Sequence, residues 1–474
     1  MIEKNRIVAV SETKKEPNLT SNIIINSIGI ILLRCVGIIT APIMTKYISP
    51  EQYGSVVTYT TLLSFMGIFV GLQANSTLKN AELDLGNEKI KAYHSSIMFL
   101  SFLSFVLVFV PFVLFNKFFE RILLIEEGFG IFMFPSCFFS YCVSFLSSKF
   151  IVEKKAFKNL MLNIAMTIIT SSMAIFLVIT LKENPQRGLI WSSIVPNFMV
   201  GSVVFFYFII KGKTIVNIGY WKYCLKISVP LIFHVASSII LAQSDRLMIR
   251  YFLGEELTGL YGYTYGFSAI IFTVWSALNQ SWVPYYYEYL HTGDYVILQK
   301  CVKNFNFTFL CLAIGFMLVC PEFLKFLTNS RYWGYMHIIP PIVLAAYFNH
   351  LYGYSTNYEA YKKKTTWIAL GTIGSAIINV IFNYFMIPLW GGLGAAGSTA
   401  ISYLMLFVFH ECIARYKIGS FFIRRSFYLP GIIIMVLCCG LFYICFDQWI
   451  FRWVVAAITG VVLLVKVIKQ KSII

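Results

Sequence analysis

The chain has 474 residues, of which 58% are hydrophobic and only 12% charged, with a mean hydropathy of +0.74. A water-soluble domain is close to half apolar and a quarter charged, so the main solvent here is lipid and a soluble enzyme is excluded. The net charge of +17 does not point to nucleic acid, because the basic residues sit in short loops between apolar runs, as in a polytopic membrane protein.

In chain order, residues 1–20 mix Lys4, Arg6, Lys14 and Lys15 with Glu3, Glu12 and Glu16 and show no short apolar core with a cleavage site. They are expected to be a cytoplasmic lead-in. A spanning helix needs about 20 mostly apolar residues. Fourteen stretches qualify: 21–46, 56–78, 92–115, 129–150, 159–181, 188–210, 226–250, 258–284, 304–320, 335–356, 366–386, 393–412, 427–446 and 449–467. The ninth is short, and Pro340-Pro341 is expected to split the tenth. With the N-terminus inside, 27 Lys and Arg fall in inner segments and 10 in outer loops. Cytoplasmic loops are the basic ones, so both termini are expected in the cytoplasm. No loop exceeds about 20 residues by this map, which leaves no room for an extramembrane domain. The eleven cysteines form no CxxC and no zinc-like spacing, and read as small buried hydrophobes. No metal site, catalytic residue or cofactor is expected.

Two stretches roughly two hundred residues apart read as copies. Met44-Thr-Lys-Tyr-Ile-Ser-Pro-Glu-Gln-Tyr-Gly54 and Met248-Ile-Arg-Tyr-Phe-Leu-Gly-Glu-Glu-Leu-Thr-Gly259 each close an apolar run with a basic residue, a Tyr, a turn former, an acid and a Gly. Glu153-Lys-Lys-Ala-Phe-Lys158 is echoed by Glu359-Ala-Tyr-Lys-Lys-Lys364, and Pro185-Gln-Arg-Gly188 by Pro388-Leu-Trp-Gly-Gly392. Spans one to six therefore match seven to twelve. Six is even, so the repeat is parallel, with its axis along the membrane normal. The expected organisation is a 1–20 lead-in, an N-lobe over 21–212, a C-lobe over 222–415, two extra spans over 427–467 and a cytoplasmic tail at 468–474. The run Gly391-Gly-Leu-Gly-Ala-Ala-Gly397 reads as close helix packing.

With Pro42, Asp245, Asn379 and Asn383, this order of weak landmarks resembles the polysaccharide flippases of the multidrug/oligosaccharidyl-lipid/polysaccharide (MOP) superfamily, nearest to the O-antigen or capsule repeat-unit (Wzx-type) flippases. The resemblance covers nearly the whole chain. It implies an all-α integral membrane fold of about fourteen helices, two six-helix lobes like those of multidrug exporters, and two C-terminal helices. It also implies a non-enzymatic transporter in the bacterial inner membrane. By alternating access, this would carry an undecaprenyl-diphosphate-linked oligosaccharide from the inner to the outer leaflet. Expected partners are that lipid-linked substrate and membrane lipids, with a glycan polymerase and chain-length regulator as further candidates, and no nucleic acid. The rivals are an ion-coupled multidrug exporter of the same superfamily and a membrane glycan polymerase. Short loops count against the polymerase, and scarce acids within the spans against the exporter.

A diphosphate and its sugars need a polar, cationic path, because an unpaired ion in hydrocarbon costs tens of kcal/mol by Born estimates. Arg34 lies in the middle of span one, where a charge costs at least about 2.5–3.5 kcal/mol on insertion scales. It reads either as a phosphate or sugar contact or as a structural cation. Gln73 and Asn75 at the end of span two, and Asn279 and Gln280 at the end of span eight, could bind sugar hydroxyls or bond across helices. Asp245 and Arg246 point about 100° apart on span seven, so they do not simply neutralise each other. They, with His234 one turn after Pro230, are candidates for gating or ion coupling, against anchoring and packing roles. Tyr285, Tyr286 and Tyr287 read as an interfacial belt or a sugar-stacking surface.

Overall fold

The computed structural model describes residues 36–37, 39–126, 128–419 and 421–470; Arg34 lies outside them. Helix α1 covers 39–47. It stops at Ser49, which starts α2 (Pro50–Gly71) with a capping box: Ser49 Oγ accepts from Gln52 N at 3.2 Å, and Gln52 Oε1 accepts from Ser49 N at 3.0 Å. Pro50 at the first helical position lacks a donor that would be unpaired there anyway. The first copy of the repeated motif is thus a helix start. The second copy does the same by other means. Gly254 takes φ +88, and α9 (Glu255–Ser268) opens on Glu255 and Glu256, whose charges favour a helix N-terminus.

Between these points run α3 (Leu78–Leu114), α4 (Asn116–Leu123), α5 (Phe129–Val152), α6 (Ala156–Thr180), α7 (Pro185–Gly212) and α8 (Ile218–Leu253). Gly86 at φ +68 and ψ 173 breaks α3 into a short leading piece and the span proper. After α9 come α10 (Ile270–Thr292), α11 (Tyr295–Leu327), α12 (Ile339–Tyr361), α13 (Thr365–Cys412), α14 (Leu429–Ile444) and α15 (Trp449–Gln470). Ten of the described helices are long and apolar enough to cross a membrane. The expected eighth span is interrupted at Ala269 between α9 and α10. The ninth is not short, since α11 runs for 33 residues. Pro340 and Pro341 do not split the tenth; they sit in the first turn of α12, where proline is tolerated.

Helix α13 contains two expected spans. Gly391 adopts φ +56 and ψ −136 inside it, and Ser398 donates to Asn383. Residues that far apart on a straight helix would be separated by about 22 Å, so the chain folds back at Gly391. Cβ atoms at Gly392 and Gly394 would lie 1.9 Å from the Tyr335 ring and 2.1 Å from Met386 O. Only glycine allows that approach, which agrees with the packing reading of this run.

Two lobes result. One hydrophobic core gathers α2, α3, α5 and α7, with Tyr93, Met133, Phe138 and Phe145 at its centre. The other gathers α10 to α14, with Trp282, Phe309, Met317 and Tyr347. The last helix is held to α11 by Arg452, which is 1% exposed, donates to Leu318 O at 3.1 Å and pairs with Glu322. Lobe meets lobe chiefly along α2 and α9.

Candidate functional site

The α2–α9 seam is backbone on backbone. A Cβ at Gly54 would lie 2.0 Å from Glu255 O, and one at Gly259 would lie 1.8 Å from Pro50 O. Any side chain at either position would hold the two helices apart, so both copies of the motif need glycine to meet. One turn further, Gly262 sits under Val57, at 2.7 Å from a would-be Cβ.

Aromatic rings and hydrogen bonds extend the seal. Tyr53 of the first lobe packs edge-on to Tyr263 at 5.3 Å and to Tyr332 at 6.2 Å between ring centroids. Tyr332 donates to Ile48 O at 2.9 Å, Asn329 N donates to Thr45 Oγ1 at 3.2 Å, and Arg331 donates to Lys46 O at 3.1 Å. Each aromatic pair adds about 0.5–1.5 kcal/mol beyond its buried area.

Further along the same helices, two cavities open. The first, about 310 Å³, is lined by α2 and α5 with Ser64, Gln73, Asn75, Ser140, Tyr141 and Ser144 among its walls. No lining residue is charged; the walls offer neutral donors and acceptors, the chemistry that suits sugar hydroxyls. Asn75 also donates weakly to Ser148 at 3.4 Å. Gln73 reaches the wall because it and Leu72 adopt φ of 50 and 51 at the end of α2. The second cavity, about 410 Å³, is lined by α8, α9, α10 and α13 with Gln243, Arg246, Tyr265, Thr273, Ser276 and Tyr403. The walls contributed by α2 and α10 are matching stretches of the repeat.

Arg246 stands over the Tyr265 ring at 4.5 Å and makes no ion pair within 4 Å among the described residues. A cation–π contact is worth about 0.5–2 kcal/mol and leaves most guanidinium donors free. Asp245 turns the other way. It is 2% exposed, accepts from Tyr261 Oη at 2.5 Å and from Arg246 N at 2.8 Å, and so ties α8 to α9. The neighbours do different jobs because a 100° step puts one in the core and one in the cavity. His234 is half-buried on α8, and its Nδ1 has no hydrogen-bond partner.

The span-eight amides lie elsewhere. Asn279 accepts from Asn357 at 3.1 Å, a bond between helices, and among the described residues Gln280 donates to Ser276 alone, at 3.5 Å. Tyr286 is not a belt residue: it is fully buried and donates to Tyr354 O at 3.1 Å.

Three buried contacts were not foreseen from the sequence, although Asn379 and Glu359 stand in its landmarks. Glu359 and His410 form a fully buried pair at 2.9 Å, because α12 continues to Tyr361, past the expected end of its span. Asn379 accepts from Ser244 at 2.9 Å and from Asn383 at 3.0 Å, and Asn383 in turn accepts from Ser398, which together tie α8 to both arms of α13. Arg452, near the start of the fourteenth expected span, is buried. The described spans are therefore not nearly free of acids, and they bury a cation in Arg452.

Two helical lobes meeting at a sealed end, with a polar cavity in each, give the chain a multi-pass helical membrane fold of the kind seen in MOP-superfamily proteins. The chain is similar to the lipid II flippase MurJ in an inward closed conformation, with a TM-score of 0.72 at 16% identity over 94% of this chain and 100% of that one. It is also similar to an inward-facing multidrug resistance MATE family transporter of the MOP superfamily, with a TM-score of 0.59 at 12% identity over 84% and 99%. The model of the family described as "Polysaccharide biosynthesis protein" matches residues 19–290, and the chain belongs to that family. A curated relative, "Lsg locus putative protein 1" of Haemophilus influenzae, is 24% identical over 373 residues, 75% of this chain and 88% of its own length.

Proposed function

We propose that this protein is a flippase that carries an undecaprenyl-diphosphate-linked oligosaccharide, an O-antigen or capsular repeat unit, from the inner to the outer leaflet of the bacterial inner membrane. The carrying observation is the division of polar character between the lobes. A neutral hydroxyl- and amide-lined cavity lies in one and an unpaired guanidinium in the other, both beneath a seal of small residues. A lipid-linked glycan presents the matching pair of groups, sugars and a diphosphate, while its tail can remain in the bilayer. Arg246 is placed to accept phosphate oxygens through parallel hydrogen bonds. Gln73, Asn75 and the serines on α2 and α5 are placed for sugar hydroxyls.

The basic-loop count puts the seal at the outer face and both termini in the cytoplasm. The conformation is then closed outside, and substrate enters from the inner leaflet. Alternating access requires α2 and α9 to part at the Gly54 and Gly259 contacts while the lobes close at the inner face. Asp245, bonded to Tyr261 near that seam, is placed to hold α8 and α9 together as they move, and His234 remains the candidate for coupling to protons. The family membership and the flippase title of one structural neighbour support this reading.

The test is a strain from which this gene alone is removed. Mass spectrometry of its lipid fraction should show undecaprenyl-diphosphate carrying single repeat units, shielded from a glycan-cleaving enzyme added outside. Single repeats displayed on the outer surface would point instead to a lost polymerase. Unchanged glycan with increased sensitivity to cationic dyes would point to a drug exporter.

A further inference from the structure

A third cavity, of about 290 Å³, lies away from the two described above, at the end of the first lobe opposite its seal. Its walls come from the start of the α3 span, the end of α5 and the end of α7. Lys91, Lys149 and Lys211 converge on it, with His94, Tyr207 and Phe208 beneath and Glu82 and Glu153 also on the lining. Glu153 is already committed. It holds Lys149 at 3.0 Å and Lys155 at 2.6 Å. Lys91 and Lys211 make no ion pair among the described residues, and Lys211 Nζ rests on Tyr207, 2.6 Å from its hydroxyl and 4.8 Å from its ring centroid.

His94 is the unexplained group. It is 4% exposed and lines the cavity floor, yet its ring has no hydrogen bond to any described residue. Phe145 and Phe208 clamp it edge-on, with centroids at 5.7 Å and 5.8 Å, so its polar edge is held in place. Its ring borders open space flanked by lysines, within reach of a group bound in the cavity. The walls are closely packed. A Cβ at Gly212 would lie 2.3 Å from Lys91 O and from Ser95 Cβ, and Trp221 donates to Ser96 O at 3.1 Å.

We propose that this cavity is a binding site for a phosphate-bearing anion, separate from the transport path. Lys91 and Lys211 supply the charge, and His94 donates or accepts one hydrogen bond at the floor. The space suits one phosphate group with a small substituent, not a glycan. On the basic-loop orientation it opens at the inner headgroup level, where anionic lipids concentrate. A lipid phosphate and a soluble phosphate share the chemistry that these residues read.

The test uses the full-length chain in nanodiscs of phosphatidylcholine doped with phosphatidic acid, followed by native mass spectrometry of the released complex. The wild type should retain phosphatidic acid. Lys91→Gln/Lys211→Gln should reduce that retention at least about tenfold, and Lys91→Arg/Lys211→Arg should restore it. Displacement by millimolar inorganic phosphate, with the same dependence on the two lysines, identifies a soluble phosphate as the natural source. Failure of phosphate to displace the lipid identifies the headgroup. Both lysines are exposed at the rim, so the variants should fold, and an unchanged melting profile checks this. Equal retention by the wild type and the Gln double variant, or retention insensitive to His94→Phe as well, overturns the proposal.

Discussion

Substituting alanine for Gly259 tests the seal directly. Its new Cβ would sit 1.8 Å from Pro50 O and 2.9 Å from Gly54 N, and the corresponding atom at Gly54 would sit 2.0 Å from Glu255 O. Both obstacles are helix backbone, which cannot rotate aside, so α2 and α9 must separate by more than an ångström. Overpacking of this kind costs about 1–3 kcal/mol, all of it borne by the closed state. The closed-to-open ratio should then fall roughly 5- to 150-fold for each substitution. Leu260, 7% exposed within the seam, is the reporter. In cells carrying Leu260→Cys, the rate of labelling by an impermeant maleimide should rise at least about fivefold when Gly54→Ala or Gly259→Ala is added. Gly374→Ala is the control, since nothing lies within 4 Å of its would-be Cβ. Wild-type labelling in both seam variants, at normal expression, would refute the claim that these glycines hold the outer face shut. A rise of similar size in Gly374→Ala would refute it equally.

Arg246→Gln should lower glycan export at least about tenfold at unchanged membrane abundance, because charge-assisted bonds to a phosphate contribute about 1.5–3 kcal/mol; Arg246→Lys should fall between, as a point charge without the bidentate fork, and complementation of the deletion strain measures both. Arg452→Met leaves Glu322 without its charged partner, with the Trp453 indole at 3.3 Å as its remaining donor, and should destabilise the protein by about 3 kcal/mol, the lower end for a broken buried pair, since the Glu322 side chain keeps 18% exposure. Adding Glu322→Leu should recover most of that loss in a thermal melt in detergent. Burial pushes the Glu153 carboxyl up, but hydrogen bonds and charge from Lys155 and Lys149 outweigh it and hold it below its ordinary value of 4.5. A carboxylate lowered on folding stabilises the protein above its unfolded pKa, and that contribution is lost as pH falls through the folded value. Glu153→Gln should therefore lower the melting temperature at pH 7 and make no difference once the carboxylate is protonated, well below pH 4.5; an equal gap at both pH values would remove the ion pair from the account.

Much of the architecture was legible because spans are set by one strong physical rule, the need to bury apolar runs of a fixed length. What that rule does not contain is where helices bend. Ala269 and Gly391 interrupt or reverse the chain through local geometry, and Pro340-Pro341 sits in apolar sequence whether it splits a helix or starts one. Burial of polar groups was the harder problem. Glu359 lies among lysines and reads as a loop acid, yet the helix extends to reach His410. Arg452 stands three residues into an expected span, where a cation is inside or outside according to the neighbouring helix. Such facts depend on partners 51 residues away for Glu359 and 130 for Arg452.

The division between Asp245 and Arg246 shows the intermediate case. Their 100° separation was readable, so independent roles followed from sequence. Which of the two faced a cavity did not, because the answer depends on how α8 turns against α9 and α13. The gate itself was closer to the surface of the sequence than it looked. In a parallel repeat whose axis runs along the membrane normal, a segment near that axis must meet its own copy. The contact is then reciprocal, as in a two-fold dimer: if one position touches a second, their copies touch in the reverse sense. Gly54 on Glu255 and Gly259 on Pro50 are such a reciprocal pair. Two copies of one glycine-ended motif on the same side of the membrane therefore carried more than evidence of duplication. They required either a small residue at the meeting point or a gap between the lobes, and the glycines decide for contact.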